Sequence, residues 1–412
     1  MSKFSKYLLG QVTDNYDNLR VPLSAKQRET IKKVYPYYGA QSIIDYVDDY
    51  LFDGEYILVA EDGENLKSQN SNVCNLVNGK FWVNNHAHII KAKNGFNTKY
   101  LYYYLNLIDY KPFITGSAQP KLTKDNLNLI PLQLPDLPTQ KAIAKVLSDL
   151  DAKIELNNRI NRELEAMAKT LYDYWFVQFD FPNEQGKPYK SSGGKMVYNE
   201  ELKREIPEGW EVKKLSEIAN ITMGQSPSGN SYNEEGNGEI FFQGSTDFGW
   251  RYPTIRQYTT EPSRMAKVGD ILLSVRAPVG TLNIADNNCC IGRGLAALNS
   301  KDKATSYLFY VMLYFKQIFD YRNNSGTTFG SITKDDLFSL KLVYPTKELL
   351  KKYDDIVSKY NEKILNNHKQ NQQLTTFRDW LLPMLMNGQV TVKEAEEKLS
   401  MAAEPEGEYK KG

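Results

Sequence analysis

The stretch Gly116-Ser-Ala-Gln-Pro-Lys-Leu-Thr-Lys-Asp-Asn-Leu127 recurs in altered form as Gly326-Thr-Thr-Phe-Gly-Ser-Ile-Thr-Lys-Asp-Asp-Leu337. The two stretches lie 210 residues apart (326 − 116 = 210), and each runs on to a proline at the same spacing, Pro135 and Pro345. A period near half of the 412-residue chain differs from that of a solenoid, whose repeats are about 20–50 residues long. The sequence therefore predicts two domain-sized copies of one fold.

The composition excludes several classes of protein. The chain is 25% charged and 12% aromatic, with a formal net charge of +1. Because no global positive field draws such a chain onto a polyanion, any nucleic-acid binding must depend on local patches. The three cysteines are too few and too irregularly spaced for a disulfide framework or a zinc site. We see neither a signal-peptide core nor an apolar run long enough for a bilayer, so we expect a cytoplasmic protein.

The order of strand-like, helix-like and breaker-rich segments divides the chain into six parts. Short β-branched and aromatic runs such as Tyr56–Ala60 and Asp270–Val275 predict strands in two mixed segments. We call these segments copy 1 (residues 1–136) and copy 2 (residues 209–345). Helical patterns follow at 137–179 and 346–388, with a linker at 180–208 and a C-terminal tail at 389–412. The predicted fold class is α+β, with two similar domains joined by two long helices.

Both helical segments carry apolar residues at steps that alternate between four and three, which is the pattern of a coiled-coil seam. In the first helix the seam is Ile143, Leu147, Leu150, Ile154, Asn157, Asn161, Leu164, Ala168, Leu171 and Trp175. An offset of 206 residues places the second seam at Leu349, Tyr353, Ile356, Tyr360, Lys363, Asn367, Gln370, Leu374, Phe377 and Leu381.

The two seams share a polar position, because the offset of 206 maps Asn161 onto Asn367. A polar residue in a coiled-coil seam lowers stability and fixes register and orientation. We therefore expect the helices to pair with each other, antiparallel, and to relate the copies by a pseudo-twofold axis. The alternative is that each helix packs separately on its own domain.

Motifs of catalysis are missing from the sequence. It contains no Gly-x-Gly-x-x-Gly, no P-loop and no His-Glu-x-x-His. His86 and His88 have strand spacing and could begin a metal site, but no further ligand cluster is visible, so structural histidines are the favoured interpretation. We predict no catalytic residue, no metal and no cofactor in this chain.

Both copies contain basic and aromatic patches beside glycine-containing loops. Lysine and arginine neutralise phosphate, and arginine and glutamine can read base edges with two hydrogen bonds. Each patch alone also fits an ordinary solvated surface, but two patches on two matched copies favour DNA binding. The candidate DNA-binding residues are Tyr37, Tyr38, Gln41, Lys91, Lys93, Gln119, Lys121, Lys124, Gln243, Ser245, Arg251, Arg256, Arg276, Arg293, Thr327, Thr328 and Lys334.

The chain resembles the specificity subunit of type I restriction-modification systems. The resemblance rests on four segments in order, namely 116–123, Leu134–Gln140, Ile206–Trp210 and Gly269–Gly280. It implies two target recognition domains, two helical spacers, and methylation subunits that dock on the helical region. It also implies that S-adenosylmethionine is bound by the partner subunit, and it leaves open whether a restriction subunit is present.

The favoured hypothesis is a non-catalytic subunit that reads a split, asymmetric site in double-stranded DNA and directs methyltransferase and restriction subunits to it. One alternative is a single-chain methyltransferase or nuclease. Such a methyltransferase would need an Asn-Pro-Pro-Tyr-type motif and a glycine-rich cofactor loop, and neither occurs here. A second alternative is a coiled-coil scaffold without sequence reading, which would not require duplicated β-rich domains.

Overall fold

A computed structural model describes residues 4–68, 71–116, 119–324 and 331–403. The chain forms two compact units, which we call unit 1 (residues 1–156 and 370–412) and unit 2 (residues 157–369). Copy 1 belongs to unit 1 and copy 2 to unit 2. Within the described ranges, no helix is both long and apolar enough to cross a membrane.

Copy 1 consists of two four-stranded sheets with short helices at their ends. Its elements are β1 (Ser5–Leu8), α1 (Leu9–Val12), β2 (Thr13–Asn15), α2 (Ala25–Glu29), β3 (Tyr35–Tyr38), β4 (Ile43–Val47), β5 (Phe52–Asp53), β6 (Tyr56–Ala60), β7 (Cys74–Val77), β8 (Lys80–Val83), β9 (Ala87–Ala92), α3 (Thr98–Leu105), β10 (Ile114–Thr115), β11 (Lys121–Leu122), α4 (Lys124–Asn128) and β12 (Pro131–Leu134).

The sheets have the orders β2-β9-β6-β7 and β4-β3-β8-β5. Only β3 and β8 pair in parallel among the described strands of copy 1. Central strand β6 is apolar on both faces, and its residues Ile57–Ala60 are fully buried, as expected for a strand covered on both sides. The antiparallel pair of β1 with β12 joins the two ends of the copy.

The first long helix and a hairpin follow copy 1. They are α5 (Leu137–Tyr172), β13 (Met196–Asn199) and β14 (Arg204–Pro207). At the start of α5, Asp136 Oδ1 accepts a hydrogen bond from Thr139 N at 3.0 Å, which caps an unpaired N–H group. The hairpin lies in the segment predicted as a linker, and its Ile206 is buried in the core of unit 2.

Copy 2 repeats the topology of copy 1. Its elements are β15 (Glu211–Lys214), α6 (Leu215–Ile218), β16 (Ala219–Met223), β17 (Tyr232–Asn233), β18 (Glu239–Phe242), β19 (Tyr258–Thr259), β20 (Met265–Ala266), β21 (Ile271–Ser274), β22 (Leu282–Ile284), β23 (Cys289–Ile291), β24 (Leu295–Ser300), α7 (Thr305–Asn324), α8 (Lys334–Ser339) and β25 (Lys341–Tyr344).

Sheet order β16-β24-β21-β22 reproduces β2-β9-β6-β7 element by element. Sheet order β17-β19-β18-β23-β20 reproduces β4-β3-β8-β5 with β17 added at one edge, and β18 and β23 are again parallel. The predicted duplication is therefore confirmed in the connectivity of both sheets.

The second long helix is α9 (Lys347–Met386), and a shorter helix, α10 (Val392–Ala403), follows it. In unit 2, Asn367 pairs with Asn161 and Tyr353 with the carbonyl of Ala168, so residue numbers fall along α9 as they rise along α5. In unit 1, Arg378 of α9 likewise pairs with Asp151 of α5. The two contacts in unit 2 confirm the predicted antiparallel direction, and the contact in unit 1 shows that the two helices also meet there.

The seam of α9 differs from the predicted one. Ile356 and Lys363 are exposed, whereas Val357 and Ile364, one residue further along, are fully buried. Helix α9 starts 210 residues after α5 (347 − 137 = 210), so the offset is 210 rather than 206. The wrong offset still matched the heptad pattern, because a shift of four residues is about one helical turn and leaves half of the predicted seam positions unchanged.

An aromatic cluster packs copy 2 against the helical segments of unit 2. Tyr172, the last residue of α5, and Phe176, in the helical turn that follows, contact Tyr307 of α7, with ring centroids 5.9 and 4.8 Å apart. The Tyr307 hydroxyl donates to Val343 O at 2.9 Å, which satisfies the polar end of a buried ring. The tyrosine-rich composition thus has a structural role in this unit.

Candidate nucleic-acid interface

The parallel strand pairs bring two loops together in each copy. In copy 1 the pair aligns Tyr38 of β3 with Val83 of β8, and in copy 2 it aligns Phe242 of β18 with Ile291 of β23. Parallel strands end at the same edge of a sheet, so the loops that follow each pair emerge side by side. We call this edge the loop edge of each copy.

Four chain segments converge at the loop edge of copy 2. The Ser226 hydroxyl lies 2.9 Å from Gln243 Nε2, and it accepts hydrogen bonds from both N and Nε of Arg293 at 3.3 Å. A groove of about 450 Å³ beside them is lined by Gln243, Ser245 and Arg276. Four predicted residues, Gln243, Ser245, Arg276 and Arg293, are therefore brought together, and sequence reasoning missed Ser226, which orients two of them.

Glycines allow these segments to approach each other closely. A Cβ atom on Gly292 would lie 2.8 Å from Gln243 Oε1, and one on Gly294 would lie 2.8 Å from the carbonyl oxygen of the same residue. On Gly224 it would lie 2.2 Å from the carbonyl oxygen of Gly292. Any side chain at these positions would force the loops apart.

Other predicted residues of copy 2 lie elsewhere on its surface. Arg256 is exposed and pairs with Asp247, which follows shortly after Ser245. Lys334 is exposed at the first position of α8, with its Nζ 5.1 Å from the centroid of the Phe338 ring. The predicted residues Thr327 and Thr328 lie outside the described residues.

Arg251 is not available to DNA, so this prediction was wrong. Its side chain is completely buried; Nη1 donates to Glu165 Oε1 at 2.8 Å and Nη2 to Asn361 Oδ1 at 2.7 Å. The guanidinium carbon also lies 4.6 Å from the centroid of the Phe309 ring. Arg251 therefore ties a loop of copy 2 to the α5 and α9 segments of unit 2. Burial raises the pKa of Glu165, and the Arg251 charge offsets only part of that rise.

In copy 1, the prediction that Tyr37 binds DNA was also wrong. Its ring is buried and its hydroxyl accepts a hydrogen bond from Leu23 N at 2.9 Å, so it holds the preceding segment in place. Tyr38 is half-buried at the loop edge, where burial raises the pKa of its phenol. Gln41, Gln119 and Lys124 are exposed.

The predicted lysines of copy 1 are engaged within the protein to different degrees. Lys93 Nζ donates to Gly10 O at 2.9 Å, and Lys91 Nζ lies 5.1 Å from the centroid of the Tyr56 ring. Lys121 is 55% exposed and lies 3.2 Å from a Glu61 oxygen, so its charge is accessible although it is paired.

A buried ionic network lies behind the loop edge of copy 1. His88 Nε2 donates to Leu122 O at 2.8 Å, and its Nδ1 lies 2.5 Å from Asp17 Oδ2. Burial alone would raise the pKa of Asp17, but the hydrogen bond and charge of His88, together with the hydrogen bond from Ile89 N, hold that pKa below its ordinary value. His88 is therefore a structural residue that anchors β11, and the described residues contain no group of three or more potential metal ligands.

The fold and this interface define a class of protein: two matched recognition domains, each with a loop edge of amide and charged side chains, joined by paired helices. This is the architecture of a DNA-specificity subunit. Comparison with a family model described as "Type I restriction modification DNA specificity domain" gives two matches, at residues 1–166 and 207–376. The chain belongs to this family, and each of the two matches covers one copy and most of the long helix that follows it.

Individual relatives agree with this assignment. The chain is 35% identical over 310 residues to a putative type I restriction enzyme MjaX specificity subunit of Methanocaldococcus jannaschii, covering 73% of this chain and 70% of that protein. It is 30% identical over 326 residues to the MjaIX specificity subunit of the same organism, covering 74% and 72%. In fold it is similar to the crystal structure of a type I restriction-modification S subunit from M. genitalium, with a TM-score of 0.60, 18% identity, and coverage of 93% and 96% of the two chains.

Proposed function

We propose that each copy reads one half of a split, asymmetric site in double-stranded DNA, and that the paired helices fix the gap between the halves. The observation that carries this proposal is the combination of one framework with two different loop edges. The order of the shared strands and the parallel strand pair are the same in both copies, whereas the side chains at the two edges differ. Proteins that read base edges obtain their specificity from such side chains, while framework and phosphate contacts position them.

The chain itself is proposed to be non-catalytic. Methylation subunits would bind S-adenosylmethionine and flip the target adenine out of the helix. This chain would only determine which DNA site they modify. Restriction subunits would be directed to the same site.

We further propose that the methylation subunits dock on the helical region. The exposed residues Arg159 and Glu163 of α5 are candidates for this contact. Glu165 is engaged with Arg251 and is not proposed as a contact.

The test compares the purified chain with its complex. Each sample is incubated with DNA and labelled S-adenosylmethionine, with and without the methylation subunits of the same system. We expect methyl transfer only in the complex, and only on DNA that contains the split site. Methyl transfer by the chain alone would favour a single-chain methyltransferase, and transfer to all duplexes alike by the complex would favour a scaffold without sequence reading.

A further inference from the structure

Backbone hydrogen bonds identify equivalent positions at the two loop edges. Asn84 N donates to Tyr38 O at 3.0 Å in copy 1, and Gly292 N donates to Phe242 O at 2.8 Å in copy 2. Each bond joins the last residue of the first parallel strand to the residue that begins the loop after the second strand. Asn84 and Gly292 are therefore equivalent.

A second bond makes the next pair of segments equivalent. Glu61 N donates to His86 O in copy 1 and Val275 N donates to Gly294 O in copy 2, both at 2.9 Å. Glu61 directly follows β6, and Val275 directly follows the corresponding strand β21. The residues after these strands therefore occupy the same place in the two copies.

A third bond extends the match to the repeated motif. Leu122 N donates to Glu61 O at 2.8 Å, and Ile332 N donates to Val275 O at 2.9 Å. The two acceptors are the residues already matched, and the two donors are 210 residues apart (332 − 122 = 210), as in the repeat.

One position at this junction carries opposite charge in the two copies. An isolated β-bridge joins Asp62 to Lys121 in copy 1, and another joins Arg276 to Ser331 in copy 2. Asp62 is the residue after Glu61, and Arg276 is the residue after Val275. Asp62 and Arg276 are thus structural equivalents, although they are 214 residues apart (276 − 62 = 214) and chemically opposite.

We propose that this shared position selects a base in each half-site: Arg276 reads a guanine, and Asp62 reads the exocyclic amino group of a cytosine or adenine. This inference rests on the proposed function, because it assigns residues to the reading that the two copies perform.

The surroundings of Arg276 suit a base contact. Its backbone is held by the bridge to Ser331 and by the Ser274 hydroxyl, which donates to its carbonyl oxygen at 2.7 Å. Its side chain is exposed on the groove that Gln243 and Ser245 also line. Its guanidinium has no ion pair or hydrogen bond to any residue in the described ranges. A free guanidinium on a fixed backbone can donate two hydrogen bonds to O6 and N7 of guanine.

The surroundings of Asp62 suit a different partner. Its carboxylate lies 2.7 Å from His86 Nδ1, and its side chain is 22% exposed. An ionised carboxylate can only accept hydrogen bonds, and it is repelled by phosphate. Of the groups on DNA, the amino groups of cytosine and adenine are the donors in the major groove, so a base amino group is the contact its chemistry favours.

The experiment determines the modified DNA sequence in host cells that carry the chain with its partner methylation subunits. Arg276→Gln should relax a single G·C position in one half-site, with a loss of discrimination of roughly 5- to 150-fold. Asp62→Asn should relax a single position in the other half-site only. Lys267→Gln is the matched control, because Lys267 is an exposed cation of copy 2 near the opposite end of β21. The DNA sequence modified with this variant should be the same as with the wild type.

Three results would overturn the inference while the proposed function stands. In the first, the wild-type motif is split and both variants retain it unchanged. In the second, the wild-type motif is split but has no guanine in the half-site assigned to Arg276. In the third, a variant lowers modification equally at all sites. A wild-type motif that is not split would instead overturn the proposed function, and the inference with it. Thermal unfolding of each variant separates loss of reading from loss of fold.

Discussion

The buried asparagine pair in the helical segment of unit 2 provides a quantitative test of the coiled coil. Asn367 Nδ2 donates to Asn161 Oδ1 at 2.8 Å, and the two residues are only 2% and 3% exposed. Replacing one of them by leucine removes this hydrogen bond and leaves the amide atom that faced it unsatisfied in a buried seam. An unsatisfied buried amide costs about 1–3 kcal/mol, so we expect each single variant to lose about 2 kcal/mol.

The double variant Asn161→Leu/Asn367→Leu should lose much less than the sum of the single losses. Removing both partners of a buried polar pair is often neutral or stabilising, because no group is left unsatisfied. Without the polar pair the helices should stay together but lose their unique register. With partner subunits present, the double variant should therefore accept DNA sites whose gap is altered by one base pair.

The assay is hydrogen exchange of backbone amides in residues 157–172 and 347–369, which measures local opening without assuming two-state unfolding of the whole chain. A loss of 2 kcal/mol corresponds to about 30-fold faster exchange. Unchanged exchange in the single variants, or additive losses in the double variant, would refute the argument about the amide pair. Unchanged gap discrimination in the double variant would refute the link to register.

Three further predictions follow from the contacts described above. Arg251→Met should destabilise unit 2 by about 3 kcal/mol, because it leaves a partly buried carboxylate unpaired, and differential scanning calorimetry measures this loss. Asp17→Asn should destabilise copy 1 by about 3 kcal/mol at neutral pH by breaking the pair with His88. Because the pKa of Asp17 is lowered below 3.8, its stabilising effect is present above that pH and is lost as the pH falls through the lowered pKa; the wild type should therefore lose stability on acidification more steeply than the variant. Gly224→Ala should destabilise the loop edge of copy 2 by about 1–3 kcal/mol, since the added Cβ would collide with the carbonyl of Gly292, and it should weaken recognition of one half-site in the sequencing assay.

Two of these changes have a control variant in the same chain, and the third is compared with the wild type. Arg264→Met removes an exposed arginine of copy 2 whose side chain makes no ion pair with the described residues, and it should change stability by no more than about 0.5 kcal/mol. An equal effect of both arginine variants would contradict the structural role of Arg251. Gly229→Ala adds a Cβ where no atom lies within 4 Å, so a loss equal to that of Gly224→Ala would contradict the argument from close packing. Parallel acid profiles of the wild type and Asp17→Asn would contradict the linkage argument.

The architecture could be predicted because the two copies carry the same residues at matching positions. The motif that ends in Pro135 and Pro345 marks the same junction in both copies, where β12 or β25 leads into a long helix. Strand β6 could be predicted because a strand buried on both faces needs a continuous apolar run. The seam of α9 was placed one turn out of register, and the offset of 210 makes Asn157, rather than Asn161, the counterpart of Asn367. Asn161 and Asn367 contact each other across the helix pair instead.

The candidate site could be predicted only in part, for two physical reasons. Residue type does not reveal burial: Arg251 and Tyr37 have side chains suited to DNA, but both are enclosed by other parts of the fold. The partners that enclose Arg251, Glu165 and Asn361, lie 86 and 110 residues away in sequence, so no local pattern indicates its burial.

Equivalent specificity positions also escape a search for repeats. Asp62 and Arg276 share neither residue type nor the offset of 210, because the loops before them differ in length. Only the hydrogen-bond pattern of the backbone aligns them. Positions that give two domains different targets must differ in sequence. Identity between the copies therefore marks the shared framework and cannot reveal the residues that select bases.

The most direct test of the central claim, that two unlike copies read two unlike half-sites, is the set of adenines modified in a host that carries this chain with its partner subunits. The account predicts two short and different sequences separated by a gap of fixed length in which any base is tolerated. A continuous site, or two halves that are inverted repeats of one sequence, would contradict it.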